Sequence, residues 1–215
     1  MTGKLSKRHF WKWFECNNKE YLQLGMKSKK DTIYWVNELR AHLRAYFKFL
    51  DFTLIPMQEG QSGILTISVN GAARRFKRVE AFVAAAPSIA NWKIQALEEP
   101  MPMDFLLEER CGETGINPYE FRFLPQEEDD SIDLCVYHPL YTEERQSVFV
   151  QVAEAATYNL LGERSFGLDI RYISVDNVSC APKEAELLNP EELERYLGGQ
   201  KSSLVVDASG RMVLV

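Results

Sequence analysis

Between positions 9 and 48 the apolar residues recur at helical intervals. Phe10, Trp13, Phe14, Tyr21 and Leu24 fall on one side of a helix over 9–24. Ile33, Val36, Leu39, Leu43, Tyr46 and Phe47 do the same over 29–48, after Ser28 as a capping residue. Trp11 and Trp35 fall off these stripes. With Gly25 between the two segments, the chain is expected to open with a helical hairpin over 1–48.

The period then shortens to two. Phe52 and Leu54, then Leu65, Ile67 and Val69, alternate with their neighbours on either side of a Gly-rich turn, which predicts a β-hairpin with one wet face. Asn70-Gly71 ends it, because both residues tolerate positive φ. Phe76, Val79, Phe82, Val83 and Ala86 mark a short helix stopped by Pro87. Strands are expected over 91–97, 105–109, 120–124 and 132–137. A long helix over 143–161 would bury Val148, Val152, Ala155, Ala156 and Leu160, with Thr142 as cap and Gly162 as stop. One more strand runs over 168–175.

The tail, 179–215, carries the helix start Asn189-Pro190-Glu191-Glu192, with Leu188 and Leu193 placed as a hydrophobic staple and Gly198-Gly199 as the stop. A terminal hairpin over 203–215 turns at Asp207-Ala208-Ser209-Gly210. Strands grouped by short turns, without regular strand–helix alternation, predict an α+β fold. The expectation is one domain over 1–215, with a sheet-and-helix core at 49–178. Its sheet would be largely antiparallel, of about five to seven strands, with the N-terminal helix pair and the long helix packed on one face. No internal repeat is visible in the sequence.

Four stretches together carry a resemblance: Trp11-x-Trp13-Phe14, the strand Leu65 to Gly71, Ala85-Ala86-Pro87 followed by Asn91-Trp92, and Leu160-Leu161-Gly162-Glu163. Over roughly residues 10–175 the chain resembles a family of uncharacterised bacterial cytosolic α+β proteins. The shared motifs are structural, and the resemblance implies no activity, cofactor or catalytic residue.

Composition adds little: 215 residues, 46% hydrophobic and 26% charged, are globular values. The basic start lacks an apolar h-region and no stretch is long enough to span a membrane, so a cytoplasmic protein is expected. Cys16, Cys111, Cys135 and Cys180 are scattered, with no C-x-x-C and no His/Cys pairing. That spacing predicts free thiols and no bound metal or other cofactor.

No phosphate-binding glycine loop, nucleophile elbow or H-E-x-x-H is present. The remaining chemical candidate is the strand Asp133–His138. Asp133, Cys135 and Tyr137 share one face, and His138 stands at the strand end. Glu163, after the long helix, is a further candidate ligand or catalytic group. A half-buried structural strand is the stronger reading, because Cys135 and His138 point to opposite faces.

Charge is unevenly distributed. Residues 1–50 hold 11 Lys/Arg against 4 Asp/Glu, while residues 98–133 hold 12 Asp/Glu against two arginines. The run Glu127-Glu128-Asp129-Asp130 is densest. The favoured function is therefore a non-catalytic interaction or regulatory module that binds a basic protein partner through an acidic surface. The alternative is a small-ligand binder or enzyme near Asp133–His138 and Glu163. Self-association through the C-terminal hairpin is a further expectation. The net charge of −6 weighs against nucleic acid.

Overall fold

The computed structural model describes residues 6–58, 61–106, 112–128, 131–183, 186–200, 204–206 and 212–214. The chain divides into two compact units, Met1–Glu99 and Pro100–Val215.

In the first unit, α1 (Lys7–Leu22) and α2 (Lys29–Tyr46) form the expected hairpin, joined by a 3-10 turn, Leu24–Met26. Ser6 and Ser28 cap them by accepting from the N–H groups of His9 and Asp31, which satisfies donors the first helical turn leaves open. Phe10, Trp11, Phe14, Tyr21, Leu39 and Leu43 are buried. Ile33, placed on the buried stripe by its spacing, is instead 51% exposed. Trp11, off the expected stripe, is 2% exposed, and its Nε1–H donates to the Phe82 carbonyl at 2.9 Å. Trp13 is half-buried and stacks on His42 with ring centroids 3.7 Å apart, tying α1 to α2.

Strands β1 (Asp51–Ile55) and β2 (Gly63–Ser68) pair antiparallel. A 3-10 turn, Ala73–Arg75, leads into α3 (Phe76–Val83), and β3 (Trp92–Ala96) returns parallel to β2. The wet face expected of this hairpin is dry on β2. That strand is central, and Thr66 and Ser68 are 4% and 1% exposed. Asn70 and Gly71 do take positive φ, 52° and 74°, at the turn after it.

The second unit repeats this topology. It begins with two short helical pieces, α4 (Met103–Leu106) and α5 (Gly112–Thr114), and a 3-10 turn, Pro118–Glu120. Strand β4 (Arg122–Glu128) pairs antiparallel with β5 (Ser131–His138); a 3-10 turn, Glu143–Arg145, leads into α6 (Gln146–Asp169); β6 (Ile170–Asn177) returns parallel to β5. The offset along the chain is the same at the end of the central strand (Ser68, His138), at the 3-10 turn and at the helix start (Phe76, Gln146). Even one side-chain bond recurs. Ser68 Oγ accepts from the N–H of Asn70 at 2.9 Å, and His138 Nδ1 accepts from the N–H of Leu140 at 3.1 Å. The repeat escapes the sequence because it lies in strand order and backbone geometry, not in residue identity.

Two expectations are thereby corrected. One sheet of five to seven strands is replaced by two of three strands, and each contains one parallel pair, so neither is largely antiparallel. Parallel pairing needs a crossover, which α3 and α6 supply. The strand expected at 105–109 begins instead as helix α4, and residues 107–111 lie outside the described residues.

Helix α6 runs past its expected stop. Gly162 adopts φ 69°, ψ 166° and breaks the helical geometry, after which helix resumes to Asp169. Only glycine reaches this region without steric cost. In the tail, α7 (Pro190–Gln200) starts as expected with a full capping box. Asn189 Oδ1 accepts from the Glu192 N–H at 3.0 Å, and Glu192 Oε2 accepts from the Asn189 N–H at 2.8 Å. The helix continues through Gly198-Gly199 to Gln200. Leu188 exchanges both backbone bonds with Phe123 on the edge of β4, and Leu193 and Leu197 enter the core of this unit. Strands β7 (Leu204–Val206) and β8 (Met212–Leu214) form a separate two-stranded sheet, with Asp207–Gly210 outside the described residues.

Candidate functional site

Strand β5 is the centre of its sheet, so its two faces meet different surroundings. Leu134 and Val136 point into the core that α6 covers; Asp133, Cys135 and Tyr137 share the other face, as the period of two requires. Across the ladder Asp133, Cys135 and Tyr137 stand opposite Tyr172, Ser174 and Asp176 of β6, with Gln126, Leu124 and Arg122 of β4 on the other side.

Asp133 is engaged. Arg171 donates to it through Nε at 2.8 Å and Nη2 at 2.6 Å, a bidentate pair. These bonds hold its carboxyl below the usual carboxylate range. Cys135 is half-buried and unpaired. Tyr137 is 8% exposed, and burial raises its phenol above the ordinary value, with Cys135, Asp176 and Cys180 acting in the same direction. A nucleophile on this face would need a base beside the thiol, and the one histidine of the strand lies elsewhere.

His138 turns inward and is fully buried. Its ring lies between Phe121 and Phe149, with centroids 5.1 Å from each. Since Nδ1 accepts from Leu140, the neutral ring carries its proton on Nε2, which lies 3.9 Å from Glu120 Oε2. Burial pushes the imidazole below its ordinary value; the Asn117 carbonyl and Glu120 oppose that shift, and Arg145 adds to it.

Glu163 is also fully buried, immediately after the Gly162 break in α6. The sequence singled out both residues, and both are buried.

Of the acidic run, Glu127 and Glu128 belong to β4, opposite Ile132 and Ser131, and are not loop residues. Glu127 accepts from the Tyr196 hydroxyl at 2.8 Å, which links β4 to α7. Asp129 and Asp130 lie outside the described residues.

Two surface grooves of this unit are lined by other residues. One, of about 290 Å³, runs between Gln146, Val150 and Glu154 of α6 and the edge strand β6; another, of about 360 Å³, is lined by Met101, Met103, Tyr119, Leu160 and Glu191 among others. Neither takes in Asp133, Cys135, Tyr137, His138 or Glu163. Among the described residues no three His, Cys, Asp or Glu side chains gather as a metal site, and no helix is long and apolar enough to cross a membrane.

Sequence reasoning missed a second charged region. The turn after α2, which carries Lys48, packs against the start of α3 through Arg75 and Arg78; Arg40 and Arg44 lie in α2 before that turn, and Arg74 and Lys77 flank Arg75. The guanidinium of Arg75 lies 3.5 Å from the centre of the Phe49 ring, and that of Arg78 lies 3.7 Å from Phe47. About thirty residues separate the two groups in sequence, so only the local density at 74–78 was there to be noticed. No family model, no curated protein and no solved structure matches the chain.

Proposed function

We propose that this chain is a non-catalytic interaction module whose second unit takes a basic protein partner on an acidic surface. The supporting observation is the division of charge between the units. Residues 1–99 hold 16 Lys/Arg and 9 Asp/Glu, leaving 9 and 22 of the chain's 25 and 31 for residues 100–215. In the second unit Glu113, Glu120, Glu143 and Glu144 are all exposed. Arg145 Nη2 donates to the Thr114 carbonyl at 2.6 Å, joining the segment of Glu113 to that of Glu143 and Glu144. Exposed like charges of this density raise association rates with a complementary partner, each contributing little alone.

The chemistry of β5 weighs in the same direction. Asp133 is neutralised by Arg171, and His138 is enclosed by aromatic rings on the opposite side of the sheet from Cys135. The alternative, a ligand site near this strand, has one specific observation in its favour: the buried His138 Nε2 lies 3.9 Å from Glu120 Oε2.

The test is capture from native lysate on immobilised wild type and on a variant with Glu113, Glu120, Glu143 and Glu144 changed to lysine. Wild type should retain basic proteins that the variant loses. The same proteins on both would refute the reading.

A further inference from the structure

We propose that the face of the first unit built by the end of α2 and the start of α3 binds single-stranded nucleic acid. Residues 40–48 and 74–78 hold seven Lys/Arg and no Asp/Glu. Arg40 and Arg44 stand one helical turn apart, about 6 Å along the axis. The turn that follows, Phe47 to Phe49, packs against the start of α3 through the stacked Arg75 and Arg78. Lys48 Nζ lies 4.8 Å from the Phe49 ring, and Arg78 also approaches Tyr46 at 5.6 Å.

Surface cations commonly serve only solubility, but such cations are mobile and mixed with acids. Here two guanidiniums are held flat on aromatic rings, so less side-chain freedom is lost when they take an oxyanion. The side chains of Arg44, Lys48, Arg74, Arg75, Lys77 and Arg78 enter no ion pair or hydrogen bond among the described residues. Arg40 meets Asp51 only at 3.9 Å. Arg44, Lys48, Arg74 and Lys77 are exposed, so their N–H groups can reach phosphate oxygens.

An acidic protein segment would answer the charge but not the rings. Phe49 is 39% exposed, and bases stack both on aromatic side chains and on guanidinium planes, whereas carboxylates do not stack. The negative net charge of the whole chain does not bar this. At physiological salt the Debye length is about 8 Å, so acids beyond that range are screened. Unlike the acidic surface of the second unit, this face involves no partner protein, and the two readings stand or fall separately.

The test is fluorescence anisotropy of labelled mixed-sequence DNA and RNA strands of ~12 nucleotides, titrated with the full chain from ~50 to ~200 mM salt. Wild type should bind, with log K falling linearly against log salt. R75Q/R78Q, which removes two phosphate contacts, should make that slope shallower by about 1.4, at about 0.7 per contact. Because R75Q/R78Q also removes ring packing, R44E/K77E provides a second variant whose side chains touch neither ring, and it should weaken low-salt binding at least tenfold. Absence of wild-type binding overturns the proposal, as does unaltered binding by either folded variant. Displacement of the strand by polyglutamate at equal charge concentration would also overturn it, in favour of an acidic protein partner.

Discussion

Replacing His138 by leucine should change how stability depends on pH. Burial holds the folded imidazole below 6.5, the value assigned to the unfolded chain. Below pH 6.5 the unfolded state therefore binds more protons than the native state, and native stability rises with pH. The wild-type contribution is complete above the unfolded value and is lost as pH falls towards the folded one. While the buried ring stays neutral, the loss approaches about 1.4 kcal/mol per pH unit, the linkage slope of one proton. Leucine fills a similar volume but cannot accept from the Leu140 N–H, at a cost of about 1 kcal/mol that does not vary with pH. The charges of Glu120 and Arg145, which act on the ring, are present in both proteins. Urea unfolding followed by far-UV circular dichroism, for both proteins from pH 8 to 5, gives the difference directly. Wild type should be the more stable near pH 8, and its advantage should shrink or reverse below pH 6.5. A difference that stays constant across the range would refute the reasoning.

Two further outcomes follow from the structure. Gly162→Ala should destabilise the chain by roughly 1–3 kcal/mol, because φ 69°, ψ 166° is closed to a residue with a Cβ; unchanged urea unfolding would contradict the break in α6. In native alkylation the exposed Cys16 and Cys180 should react faster than the half-buried Cys135, and all four cysteines of the sequence should label after denaturation; two that resist labelling would show a disulfide.

The helices were the most legible part of the fold. Ser28 and the Asn189–Glu192 box are local signals, complete within four residues, and the structure contains both caps. The strands were legible as segments but not as pairings. β3 and β6 lie parallel to strands on the far side of a helix, and nothing in their own residues specifies that partner. Helical periodicity set Trp11 apart from the main stripe, but it could not say that the second surface Trp11 covers is α3, which supplies the Phe82 carbonyl. At the candidate strand, alternation correctly separated Cys135 from His138. It carried no information about Arg171, which engages Asp133 from thirty-eight residues away. The basic face was invisible for the same reason: its rings and its guanidiniums come from segments that only the fold brings together.

The central claim is that the second unit works by charge and not by chemistry, and its most direct test is an association rate. A basic protein recovered on wild type would be mixed with wild type and with the Glu113, Glu120, Glu143 and Glu144 lysine variant, and the rate constant measured at low and at physiological salt. Electrostatic steering falls as the Debye length shrinks, from about 30 Å at 0.01 M to about 8 Å at 0.15 M. The wild-type rate should drop steeply with salt, and the variant should be several-fold slower at low salt with a flatter dependence. A rate that is independent of salt and shared by the variant would contradict the account.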